Sequence, residues 1–318
     1  MSLNTIPIVD LGSFTSGSED SKRTFVHQIG KAFEEVGFVS VKNHGVPQEL
    51  VDAYYAAVKQ FFEQPREYKR SYEKPELAGQ RGYTSFGKEQ AKGFDSPDLK
   101  EFWQMGQTVE DGDPIKAEYP DNVEVVELPA FNTLGRELYK AFEKCGIELL
   151  RAIAIHLEIG EFYFDQHVHN GNSILRAIHY PPITQEPQNA IRAEQHEDIN
   201  LITLLVGASA EGLQLLSKEK EWLDITAPEG CFVVNVGDML QRLTNDKLRS
   251  TTHRVVNPPR EKWANPRFSI PFFTHPKGSM RLDCLPSCVN ATHQQKYAPI
   301  SAGEYLNERL IEIGLKKK

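Results

Sequence analysis

The run Gln195-His196-Glu197-Asp198 stands in the β-rich second half of a 318-residue chain. On an extended strand, side chains two positions apart project to one face, so His196 and Asp198 are expected to converge on one point. A second histidine, His253, lies in another strand-like run, STTHRVV. Two imidazoles and one carboxylate on neighbouring strands form the donor set of a non-haem Fe(II) centre, which leaves the remaining metal positions open to substrate and oxygen. Each piece is weak alone. With 10 His and 44 acidic residues, one His-x-Asp arises by chance about as often as not, and a single strand histidine is more often a packed or surface residue. The combination is stronger because both pieces lie in strand texture within the same half. Zinc takes the same donors, and an accompanying device for holding an organic oxidant favours iron.

Arg267-Phe268-Ser269 supplies such a device. Arginine and serine at i and i+2 of a strand share a face. The guanidinium fork can grip a carboxylate bidentately while the hydroxyl adds a further hydrogen bond. Arg-x-Ser is common by chance, and its order about one strand after His253 is what raises it. Tyr180, in HYPP, is a phenol at an expected strand end, able to donate to a second carboxylate or simply to pack beside the Pro-Pro turn.

The elements that must position these residues fall into two textures. IPIVDLGSF reads as a short strand, and residues 21–36 carry Phe25, Ile29, Phe33 and Val36 on a helical stripe beginning after a cap at Ser21. FVSV returns to strand before the turn at 44–47, and a helix through Tyr54, Val58, Phe61 and Phe62 ends near Pro65. Residues 66–127 are charged and rich in Gly and Pro, with aromatics dispersed from Tyr72 through Phe94 to Trp103. Such a stretch reads as functional loop or lid rather than core. The clearest helix starts at Pro129 and runs through Phe142 and Leu149 to His156. Beyond residue 172, short runs (ILRAIHY, INLITLLV, GLQLLS, CFVVNV, STTHRVV, RFSIPFF) recur between turn residues that include Gly207. That spacing indicates a sandwich or barrel. A final helix is expected around 301–313, followed by a solvated Lys316-Lys317-Lys318 tail. The organisation read here is a region 1–128 and a region 129–318.

Composition excludes several classes. Hydrophobic residues at 40% and charged residues at 25% are globular values, so disorder is excluded. A net charge of −8 argues against a nucleic-acid or anionic-membrane surface. The opening MSLNTIPIVDL lacks a basic and then apolar leader, no run of 18 apolar residues occurs, and four dispersed cysteines read as reduced thiols. The expected location is cytoplasmic. No obligate protein partner is evident.

Taken as an ordered set, IPIVDL, GFVSVKNHGVP, HYPP, HED, NVGDMLQRLTN, STTHRVVNP and RFSIPFF resemble the isopenicillin N synthase-like group of 2-oxoglutarate/Fe(II)-dependent oxygenases over nearly the whole chain. The resemblance implies an α+β fold, a double-stranded β-helix (jelly-roll) core with a helical N-terminal region packed against it. It implies His196, Asp198 and His253 as iron ligands, Arg267 and Ser269 on the distal carboxylate of 2-oxoglutarate, and Tyr180 at the co-substrate's other end. Cofactors would be Fe(II), 2-oxoglutarate and O2, with ascorbate as a candidate reductant. The activity would be oxidation, chiefly hydroxylation, of a small molecule, with 2-oxoglutarate decarboxylated to succinate and CO2. Plant members often carry Asn two residues before the tyrosine, where this chain has Ile178. Rival readings are an oxidative cyclase type that does not use 2-oxoglutarate and a non-oxidative, cupin-like metal-binding protein. Segments 82–89 and 98–103 are candidate substrate contacts, although Phe102 and Trp103 are better read as packing, as are His44, His156 and His179. A metabolite, amino acid derivative or phenolic compound is preferred as substrate over a protein side chain or nucleobase.

Overall fold

A computed structural model describes residues 6–90, 93, 96–206 and 211–312; Phe94, Gly207, residue 313, the Lys316-Lys317-Lys318 tail and the first five residues lie outside them. The first half runs β1 (Ile8–Asp10), α1 (Leu11–Thr15), α2 (Glu19–Glu35), β2 (Phe38–Lys42), α3 (Gln48–Phe62), α4 (Arg66–Arg70), β3 (Gly82–Thr84) and β4 (Glu101–Gly106). The long α5 (Pro129–His156) and the short α6 (Asp165–Val168) lead into β5 (Ile174–Tyr180), β6 (Ala193–His196), β7 (Ile202–Val206), β8 (Leu213–Leu216), β9 (Trp222–Asp224) and β10 (Phe232–Val236). The chain closes with α7 (Asp238–Leu243), β11 (His253–Val255), β12 (Arg267–Thr274) and α8 (Ala302–Glu312).

Local chemistry explains the boundaries. The cap of α2 is Ser18, three residues before the expected Ser21; its hydroxyl accepts from the Ser21 amide, and Glu19 and Asp20 complement the positive end of the helix. The turn into β2 uses Gly37 at φ +76°, where a Cβ would lie 2.4 Å from the Arg249 carbonyl oxygen. Pro129 opens α5, and the buried Phe131, Leu138, Phe142, Leu149 and Ile153 carry its apolar stripe.

An eight-stranded sheet in the order β1-β2-β10-β7-β12-β5-β4-β3 packs against a four-stranded sheet in the order β6-β11-β8-β9. Every pairing is antiparallel except β1 with β2. The helices cover the outer face of the larger sheet, where Phe142 stacks on Phe272 of β12. A second apolar cluster fills the space between the sheets, drawing Phe38, Ile178 and Val233 from one and Ala193, Leu215 and Val255 from the other. This is the expected jelly-roll. Residues 66–127 depart from the loop reading, because β3 and β4 join the main sheet and every residue of β4 is buried. The signal is Trp103, whose ring meets Phe61 and Phe131 of α3 and α5.

Strand alternation sorts the faces. On β5, Leu175 and Ala177 enter the helix-side core, whereas Ile174, Arg176, Ile178 and Tyr180 line a cavity between the sheets. On β12, Arg267, Ser269, Pro271 and Phe273 line the same cavity.

Candidate metal and co-substrate centre

His196 and His253 are direct cross-strand partners of β6 and β11, with ring centroids 4.5 Å apart. Asp198 stands just past the end of β6 rather than within the strand, yet it still turns onto the same point. One donor atom from each of the three side chains lies within 4.8 Å of the others, and each histidine Nε2 is 3.9 Å from Asp198 Oδ1.

The surrounding hydrogen bonds aim these donors. His196 Nδ1 faces the Glu194 carbonyl at 2.6 Å and His253 Nδ1 faces the Thr251 carbonyl at 3.1 Å. With Nδ1–H donated in that way, each Nε2 keeps its lone pair for a metal. Asp198 Oδ2 accepts from Thr203 Oγ1 at 2.5 Å and from Asn235 Nδ2 at 2.8 Å, leaving Oδ1 toward the histidines. Burial pushes the Asp198 carboxyl up, but the two imidazoles and the bonds from Asn235 and Thr203 outweigh it and hold the group below its ordinary range. Burial, then repulsion from His253, lowers His196. Two neutral imidazoles and one carboxylate are the protonation states a divalent cation needs.

The second constellation shares the cavity. Arg267 and Ser269 are both buried, and Arg267 lies opposite Tyr180 in register with its guanidinium carbon 4.9 Å from the phenol ring. The cavity measures about 360 Å³, and its wall includes His196, Asp198, His253, Arg267, Ser269 and Tyr180. The six residues singled out by spacing therefore meet in one enclosure.

Spacing did not reveal the supporting groups. Thr203 and Asn235 are register partners on β7 and β10, and a polar residue within each apolar strand was the available signal. Nor did it reveal Arg192, a buried cation 5.9 Å from the Tyr180 ring, where burial and the neighbouring Arg267 lower its pKa to about 10. In the same cavity, Lys100 bridges Glu89 and Asp98 at 2.7 Å each, Asp98 Oδ1 accepts from the Glu194 amide of β6 at 3.0 Å, and Arg176 reaches Glu89 at 3.2 Å and Gln104 at 2.8 Å. Segments 82–89 and 98–103 thus contribute to the cavity through Glu89, Asp98 and Lys100, while Phe102 lies beneath the Arg176 guanidinium. His44 stacks on Phe232, His156 meets Glu34 and His179 meets Glu101, which gives all three a packing role.

The comparisons with known proteins agree with this geometry. The model of the non-haem dioxygenase N-terminal region, described from morphine synthesis, matches residues 6–126, and that of the 2OG-Fe(II) oxygenase superfamily matches 171–276. A 2-oxoglutarate-Fe(II) type oxidoreductase of Emericella nidulans is 30% identical across 93% of this chain and 86% of its own. The chain belongs to the 2-oxoglutarate/Fe(II)-dependent oxygenases. A proline hydroxylase of Petromyces alliaceus is 30% identical to this oxygenase over 96% of the chain and 98% of its own. Among solved structures, an oxygenase-family protein of Caulobacter crescentus superposes with a TM-score of 0.88 at 41% identity, covering 97% of this chain and 99% of that one. A full-length Neurospora crassa protein in complex with alpha-KG and thymine superposes at 0.84 with 32% identity, covering 96% of each. The oxygenase is thus a non-haem Fe(II) enzyme with 2-oxoglutarate as co-substrate. Among the described residues, no helix is long and apolar enough to cross a membrane.

Proposed function

We propose that His196, Asp198 and His253 hold the Fe(II), that Arg267 and Ser269 hold the distal carboxylate of 2-oxoglutarate, and that Tyr180 contacts its other end. The observation that carries this is the common cavity into which both constellations open. When bound, Fe(II) and 2-oxoglutarate supply an O2-dependent oxidation of a C–H bond, with 2-oxoglutarate converted to succinate and CO2. The chain's own residues orient and enclose. Thr203 and Asn235 keep Asp198 Oδ1 turned inward, the Glu194 and Thr251 carbonyls fix both imidazoles, and the Arg267 fork sets the co-substrate's direction. Apolar side chains from both sheets, among them Phe38, Ile178 and Val255, line the cavity beside the reacting centre.

The substrate we propose is a small, neutral, flat heterocycle, with free thymine as the first compound to test. Along the cavity, Glu89 and Asp98 are balanced by Lys100 and Arg176, so this network offers no net charge to an ionic substrate, while Phe273 adds an aromatic surface. The Neurospora crassa relative has been solved with thymine and with 5-formyluracil, one ring carrying the same carbon at two oxidation levels. The sequence places a nucleobase behind amino acid derivatives and phenolic compounds, and this relative reverses that order for a free base.

The test starts anaerobically with Fe(II) and 2-oxoglutarate, watching for the visible charge-transfer band of the chelate. The band should form with the wild-type protein and demand far more 2-oxoglutarate with Arg267→Ala. Fe(II) binding without a band would place the chain with oxidases that bypass 2-oxoglutarate, and loss of both would refute the ligand set. Admitting air with thymine should then release succinate and a product heavier by one oxygen; succinate formation indifferent to thymine would reject that substrate alone.

A further inference from the structure

A second cavity of about 500 Å³ lies beside the first, and Gln80, His275, Leu306 and Leu310 line both. On its wall is Arg81, whose side chain is 0% exposed. The guanidinium donates to the Gln80 carbonyl at 2.8 Å and to Gln107 Oε1 at 2.9 Å, and its Nε has no hydrogen-bond partner among the described residues. No carboxylate among the described residues forms an ion pair with it. The charged forms of Tyr139 and Tyr119 alone would offset its burial, and burial raises both phenols, so neither is ionised at neutral pH. Burying an uncompensated cation is among the costliest arrangements a protein interior can hold. Here the backbone makes room for it: Gly106 ends β4 beside the guanidinium, and a Cβ there would sit 2.0 Å from the guanidinium carbon.

We propose that this second cavity is a ligand site of its own, taking a small organic monocarboxylate whose carboxylate neutralises Arg81 and whose apolar body lies against Leu77, Met239, Leu306 and Leu310. A planar fork matches a carboxylate, and one buried cation matches one negative charge. Glu76 and Glu118 also line the cavity, but both are exposed, so Arg81 is its one buried charge, and apolar surface beside that cation selects an amphipathic acid over a free inorganic anion. Through the shared wall, an occupant would touch the same His275, Leu306 and Leu310 that border the metal cavity.

The experiment uses full-length protein loaded with Mn(II) and just enough 2-oxoglutarate to saturate the co-substrate site. Hexanoate and benzoate are titrated by calorimetry and by thermal melting, against hexanamide, benzamide and sodium chloride at matched ionic strength. The acids should raise Tm by about 2 °C or more at saturation, and the amides and chloride should not. Arg81→Met should weaken the acids at least tenfold. Leu77→Trp, which fills the cavity while leaving Arg81 in place, should do the same, and it carries the test should Arg81→Met fail to fold. In Fe(II)-loaded samples of each variant, an unchanged 2-oxoglutarate charge-transfer band separates this site from the metal centre. Equal stabilisation by acid and amide, no stabilisation by either acid, or undiminished binding in Leu77→Trp would overturn the proposal.

Discussion

Asp198 illustrates how much of the centre depends on groups that never touch a ligand. Its Oδ2 is held by Thr203 and Asn235, and Asn200 Nδ2 in turn donates to Thr203 Oγ1 at 2.8 Å. Freed of these bonds, the carboxylate can rotate and offer either oxygen. Thr203→Val or Asn235→Ala is therefore expected to weaken Fe(II) about 10- to 100-fold, as measured by anaerobic metal titration with competing chelator; affinity within twofold of wild type would remove them from the site. His253→Ala should abolish turnover outright, because the donor set then falls to two. That His196, Asp198, His253, Arg267, Ser269 and Tyr180 border one cavity could be read from order and motif, although they come from both sheets. Thr203, Asn235 and Arg192 could not, because their roles arise from register and from side-chain reach across strands that one-dimensional spacing does not encode.

At the scale of elements, α2 and α5 meet at Gly30, where a Cβ would lie 2.2 Å from the His156 ring. Alanine ordinarily stabilises a helix interior by about 1 kcal/mol over glycine. Here overpacking should prevail, and Gly30→Ala should lose about 1–3 kcal/mol in urea denaturation; a gain in stability would show that His156 swings aside without cost. β12 continues into His275, whose ring is buried and whose pKa burial lowers from 6.5 to about 4. Between those pH values the unfolded chain binds the extra proton, so stability rises with pH across that window and is lost as pH falls through it. The loss should be on the order of 3 kcal/mol, and His275→Gln should flatten that part of a stability–pH curve. Helices and strands were well signalled by period 3.6 and period 2, as in α5 and β5. The segment before α5 was not, because the Gly- and Pro-rich stretches around β3 and β4 hide an edge strand that pairs only with β4 and a β4 whose other partner, β5, lies about 70 positions later.

The whole molecule is organised by those distant pairings. The β-rich half supplies β10 and β5, and the first half covers them with β2 and β4. Expressed alone, residues 129–318 would leave both strands with unpaired edges, and such a fragment is expected to be insoluble or oligomeric by size-exclusion chromatography. A monomeric fragment with a cooperative melt would contradict this. The same topology bears on the order in which the protein can be made. Val41 of β2 pairs with Phe232 of β10, about 190 positions later, so the first strands leave the ribosome long before their partners exist. The nascent amino-terminal third must wait, held only by its own helices and the β1–β2 and β3–β4 pairs, until the later strands of the main sheet have been synthesised.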